Sequence, residues 1–270
     1  MGIRQDSKGL GVEDAPLHSA SDYSVHAEFY PAPPQFDGCF TTFYHLDLDV
    51  GDGGVVQDYL QPEWANLRFF GGSLPSSRIG TAVLSGARFT ATGPSSLPCR
   101  FELGPCRMWG IGFLPLGWAR FMDGDAKVLA NTAWDGKQHK AFAKFDCMSD
   151  MLCNPEIDPE EQLAFIASTM ERLMCANRDE PKIVRIHSAL VSGEISGVAD
   201  LADACAMSIR TLERMCHRYF GFTPKLLLRR QRFMRSLAQF MLHQAQNGGG
   251  RWTEAMDEEY HDQAPFTREF

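Results

Sequence analysis

The sequence predicts an α+β protein: an N-terminal β-barrel or sandwich, then an all-α domain with two helix-turn-helix motifs joined by a long helix. Three observations carry this expectation. The length of 270 residues suits about two domains. Residues 31–150 hold 15 Gly and 9 Pro, whereas 156–246 hold 3 of each, which separates a turn-rich region of short strands from a helical one. The charge also divides: residues 1–180 carry 14 Lys and Arg against 24 Asp and Glu, a net of −10, and residues 181–270 carry 12 against 10, a net of +2.

Composition excludes several classes. Apolar residues make up 44% and charged residues 22%, as in an ordinary globular chain and unlike a disordered one. No apolar run approaches the roughly 18 to 20 residues that span a bilayer, and the first residues, with Asp6, Glu13 and Asp14, do not read as a signal peptide. A cytoplasmic protein with no membrane partner is the expectation. The eight cysteines, Cys39, Cys99, Cys106, Cys147, Cys153, Cys175, Cys205 and Cys216, form no CxxC pair, so free thiols packed as small apolar residues are expected for most of them, and no zinc site. There is no glycine-rich phosphate loop and no GxSxG elbow. The reading is therefore a protein that is not an enzyme, without catalytic residues, cofactor or metal.

Residues 1–28 read as a loosely ordered leader. Over 29–150 a β domain is expected. Leu46, Leu48 and Val50 alternate with His45, Asp47 and Asp49, and Met108, Trp109, Ile111 and Phe113 mark a more buried strand; further strands fall near 64–70 and 87–92. Turns at 51–54, 71–75, 93–98 and 104–105 separate them, as in a barrel or sandwich. Trp64, Phe69, Phe70, Phe89, Phe101, Trp109, Trp118 and Trp134 read as core before they read as the lining of a small-molecule cavity. His45 and His139 read as surface histidines rather than ligands.

Residues 151–180 read as a linker helix, with Leu163, Ile166, Met170, Leu173 and Met174 at helical spacing over 156–176. This face suits packing within the chain or, alternatively, dimerisation. Over 181–270 a helix at about 182–191 ends at Ser192 and Gly193. A second starts near Ser196 as N-cap and runs through Val198, Leu201, Ala202 and Cys205. Met207 makes the turn and Ser208 caps a helix from Ile209 to Tyr219. Ile209, Leu212, Met215 and Cys216 are expected inside, and Arg210, Thr211, Glu213, Arg214, His217 and Arg218 outside, as in a helix-turn-helix with a basic outer face. Gly221 suits a left-handed cap, and Thr223 and Pro224 start a helix over 224–243. From 207 to 251 nine basic residues face one acidic residue, Glu213, a window that attracts a polyanion. Residues 252–270 read as a degraded second motif with six acidic residues against Arg268 alone, so less affinity is expected from it.

The run Met207-Ser208-Ile209-Arg210-Thr211-Leu212-Glu213-Arg214, then Tyr219-Phe220-Gly221-Phe222-Thr223-Pro224, and Arg232, resembles the first helix-turn-helix of the AraC/XylS family of transcriptional regulators. Tyr260-His261-Asp262-Gln263 with Phe266-Thr267-Arg268-Glu269-Phe270 is similar to its second. Gln61-Pro62-Glu63-Trp64, Thr92-Gly93-Pro94 and Gly112-Phe113-Leu114-Pro115 more weakly resemble the cupin-like N-terminal domain of many of these regulators. The resemblance implies a sequence-specific DNA-binding regulator. Arg210, Glu213 and Arg214 would reach base edges of double-stranded DNA in the major groove, and Ser208, His217 and Arg218 would meet phosphates. Thr211 and Arg229 belong to the same expected surface, with Arg229 on the phosphates, and Gln263, Thr267 and Arg268 to the second motif. It also implies an N-terminal domain that senses a small-molecule effector or mediates association, RNA polymerase as a partner, and a homodimer or monomer. Two alternatives are a thiol-based redox-sensing regulator, using Cys99 with Cys106 or Cys147 with Cys153, and a metal-dependent cupin-like enzyme.

Overall fold

The computed structural model describes residues 23–247. The N-terminal part is built from ten strands: β1 (Tyr23–Tyr30), β2 (Phe40–Val50), β3 (Val56–Leu60), β4 (Ala65–Gly72), β5 (Ser76–Ile79), β6 (Ala82–Ser85), β7 (Phe89–Thr92), β8 (Cys99–Leu103), β9 (Cys106–Phe113) and β10 (Ala133–Asp135). They form two antiparallel sheets, a six-stranded one in the order β1-β2-β9-β4-β7-β10 and a four-stranded one in the order β3-β8-β5-β6. The seven α-helices among the described residues are α1 (Pro115–Phe121), α2 (Ser149–Leu152), α3 (Pro159–Leu173), α4 (Glu180–Val191), α5 (Val198–Ala204), α6 (Ile209–Met215) and α7 (Pro224–Asn247). This β-rich part followed by a helical part is the α+β class read from the sequence.

Except at the edge strand β1, both faces of the large sheet are covered, and this sets which residues are core. Between the sheets lies a small apolar cluster of Leu48, Val50, Val56, Phe70, Leu103, Cys106 and Met108. The opposite face of the large sheet carries Phe43, Leu67, Phe69, Trp109, Ile111 and Phe113, which join one continuous core with the helices as far as Leu228. Gly110 on β9 makes room for the Tyr44 ring of β2, which lies where a Cβ at position 110 would fall.

Residues 23–28, expected within a loosely ordered leader over 1–28, belong instead to β1, which pairs with β2 over eight consecutive residues. His45 is not a surface histidine as expected: it is buried beneath Trp109, with ring centroids 5.1 Å apart. The reason is that His45 shares the face of Phe43, which turns to the main core, while Leu46 and Leu48 face the other sheet. Burial pushes its imidazole below the ordinary range. His139 lies half-buried between Trp134 and Phe142. The aromatic residues largely fill space, with Phe69 stacked on Phe89 at 4.4 Å and Trp109 and Trp118 fully buried.

α3 starts at Pro159 behind Asp158, whose carboxylate accepts the Glu160 amide at 2.8 Å. Its apolar face lies against the chain's own β part. Ile166 and Met170 are buried, and Gln162 accepts a hydrogen bond from Trp109 Nε1 at 2.6 Å while donating to the carbonyls of Met151 and Asn154.

Candidate nucleic-acid interface

α4 buries Ile183, Ile186 and Leu190 and packs against α5, which in turn carries α6. Three details differ from the sequence expectation. The N-cap of α5 is Gly197, not Ser196. The turn expected at Met207 is centred one residue earlier, on Ala206 at φ +50°, and the Met207 amide closes it on the Ala202 carbonyl at 3.0 Å. The helix expected to run to Tyr219 is regular only to Met215; Cys216–Phe220 form one wider turn of π-helix. That turn places Cys216, Tyr219 and Phe220 all in the core. Gly221 then adopts φ +85° against Pro94, and Thr223 Oγ1 accepts the Leu226 amide at 3.2 Å to start α7.

Leu212, Met215 and Cys216 point inward, but Ile209, expected inside, is 47% exposed. At the first position of α6 it lies a full turn ahead of Leu212, beyond the reach of the core. Arg210, Glu213, Arg214 and Arg218 are exposed, and so are Lys225 and Arg229 on α7. Among these six exposed side chains of α6, the following turn and α7, Glu213 is the one carboxylate, while Asp200 and Asp203 are exposed on α5. Ser208 accepts the Thr211 amide at 3.3 Å and lies 3.0 Å from the Thr211 hydroxyl, so both side chains hold the helix start. Arg218 rests over the Tyr219 ring at 5.3 Å.

Two basic positions do not join that surface. His217, expected to meet phosphate, is half-buried, and Lys127 and Asp125 of the β part are among the charges acting on it. Burial first, then Lys127, holds its imidazole below the ordinary range. Arg230, one residue from exposed Arg229, turns the opposite way and is buried. It donates to the Ser95 carbonyl at 2.9 Å and the Pro62 carbonyl at 2.8 Å, with its guanidinium 4.2 Å from the Trp64 ring centroid. Burial pulls it down to about 10. Trp64 in turn meets Phe220 and His187 edge-on. Nothing in the sequence marks this clamp, because a single arginine in a basic helix looks like its neighbours. Gln263, Thr267 and Arg268, with the whole second motif, lie outside the described residues.

A second link between β and helical parts is the pair Arg120–Glu180, closed by hydrogen bonds of 3.0 and 2.6 Å. The Arg120 hydrogen bonds hold the Glu180 carboxyl below its ordinary value of 4.5. The folded state therefore binds this proton less readily than the unfolded chain, so the pair's contribution is complete above about pH 4.5 and is lost as pH falls through the folded value. Glu180→Gln is expected to lower the urea midpoint at neutral pH and to converge with wild type on acidification. A constant difference between the two at all pH values would refute this role.

Six of the eight free thiols are buried: Cys39, Cys99, Cys106, Cys153, Cys205 and Cys216. Burial raises all six, Cys106 to about 12, opposite to what a reactive thiolate needs. Cys99 and Cys106 stand on strands of different sheets. Among the described residues, no three His, Cys, Asp or Glu side chains form a group able to hold a metal ion, and no helix is long and apolar enough to cross a membrane.

No protein-family model and no curated protein matches the chain. Among solved structures it is similar to AraC-like regulators. One is the AraC-like transcriptional activator CuxR, at 12% identity and TM-score 0.29, covering 80% of this chain and 87% of that one. Another is ToxT from Vibrio cholerae, at 10% identity and TM-score 0.36, covering 86% and 90%. A looser overlap with the enzyme HEPD of Streptomyces albus, bound to 2-hydroxyethylphosphonate and Fe(II), has TM-score 0.25 and covers 77% of this chain and 40% of that one at 9% identity. Superpositions this loose transfer no residue roles.

Proposed function

We propose that the protein is a sequence-specific DNA-binding transcriptional regulator of the AraC/XylS type, with α6 as its recognition helix. The observation that carries the reading is the outer face of α6. It is a short, capped helix after a tight turn, with Arg210, Glu213 and Arg214 exposed together. Arginine offers guanine a bidentate donor pair and glutamate accepts from cytosine N4, so these three side chains can read base edges in a major groove. Arg218, Lys225 and Arg229 supply flanking phosphate contacts, and Ser208 and Thr211 fix the helix start against the backbone. The second motif would add a weaker contact through Gln263, Thr267 and Arg268. The N-terminal part would sense a small-molecule effector or mediate association, and RNA polymerase would be the partner that responds.

The test is the affinity of the full chain for duplex DNA across a salt series. Each neutralised phosphate adds about 0.9 to the slope of log affinity against log salt, so three contacts give roughly −3. A flat response would show that the basic surface does not meet DNA.

A further inference from the structure

The edges of the two sheets are not alike. β10 offers three residues, β6 four and β3 five, short enough to discourage pairing with another chain. β1 offers eight, Tyr23–Tyr30, in unbroken register with β2. It contains no proline, lysine or bulge of the kind that guards an edge. Among the described residues, its outer backbone edge carries no strand. From Tyr23 to Phe29 its side chains are exposed on both faces, with Val25 at 50% and Phe29 at 68%; Tyr30 alone turns to the core, stacked on Trp109.

The order of residues along β1 is self-complementary. If a second copy runs antiparallel with Ala27 facing its own counterpart, His26 falls opposite Glu28 twice and Val25 opposite Phe29 twice. The first pair joins a group that can be cationic to a carboxylate. Within one chain the two already approach to 3.5 Å while largely exposed. The second pair covers the most exposed apolar side chains of the strand. A two-fold axis through Ala27 thus satisfies charge, apolar surface and strand edge at once, as an isologous interface must. We propose that β1 pairs with β1 of a second copy of this chain, joining the two six-stranded sheets into one continuous sheet across a homodimer. This inference does not depend on DNA binding.

Sedimentation equilibrium of the full chain over a concentration series tests it. Wild type is expected to associate to a dimer. Glu28→Lys sets lysine against His26, and His26→Glu sets two carboxylates together, so each alone should weaken association by about tenfold. An equimolar mixture of the two variants restores opposite charges at both contacts and should regain wild-type association. Phe29→Lys, at a position exposed in the monomer, should dissociate the dimer while circular dichroism stays unchanged. A wild type that remains monomeric throughout, as expected if residues before Tyr23 cover the edge instead, would overturn the proposal. So would variants that associate like wild type, or a mixture no tighter than its components.

Discussion

Arg230→Ala is expected to destabilise the protein by about 3 kcal/mol. Truncation leaves the Ser95 and Pro62 carbonyls without their donor and removes the cation from the Trp64 face. Each orphaned carbonyl costs on the order of 1 to 3 kcal/mol when water cannot replace the lost partner, and the emptied volume adds a packing loss. Arg230→Lys should recover little, because an ammonium cannot lie flat on the indole while donating to two separate carbonyls. The neighbouring Arg229→Ala, at an exposed site, should change stability by less than about 0.5 kcal/mol. Denaturant unfolding of the three variants makes the comparison. A loss at Arg230→Ala no larger than at Arg229→Ala would mean that the clamp does not hold the helical part to the β part.

The second large effect is expected on DNA. Arg214→Ala should cost about 2 kcal/mol on the preferred sequence and less on mismatched ones, because a lost bidentate pair removes both affinity and discrimination at one base pair. Arg229→Ala should weaken all sequences alike and make the salt slope shallower by about 0.9. Both side chains are exposed, so both substitutions report on the partner rather than on the fold.

The difference between Arg229 and Arg230 shows where sequence reading stops. Both stand in the same basic window, and only the fold reveals that one faces solvent and the other is committed to two carbonyls. Elements with a strong period are legible: β2, β9, α3 and the start of α6 occur where alternation or helical spacing puts them, and the Ser208 cap and Gly221 break follow from local chemistry that tertiary contacts do not override. β1 also has its signal. Tyr23, Val25, Ala27 and Phe29 alternate with Ser24, His26 and Glu28, but a strand exposed on both faces lacks the contrast in burial that makes such alternation persuasive. His45 escapes the sequence reading because a sheet covered on both sides has no solvent face to which a polar residue can be assigned. His217 escapes it for a related reason: helical spacing places it outward on an isolated α6, whereas the β part packs against that end. The exposed trio Arg210, Glu213 and Arg214 is legible because nothing else in the described fold competes for it.

Selection of bound sites from random duplex DNA, performed side by side on wild type and Arg214→Ala, tests the central claim most directly. The account predicts that wild type enriches a defined motif and that Arg214→Ala enriches the same motif with preference lost at one position. Recovery of unenriched sequence by wild type, or identical motifs from both proteins, would contradict base reading by α6.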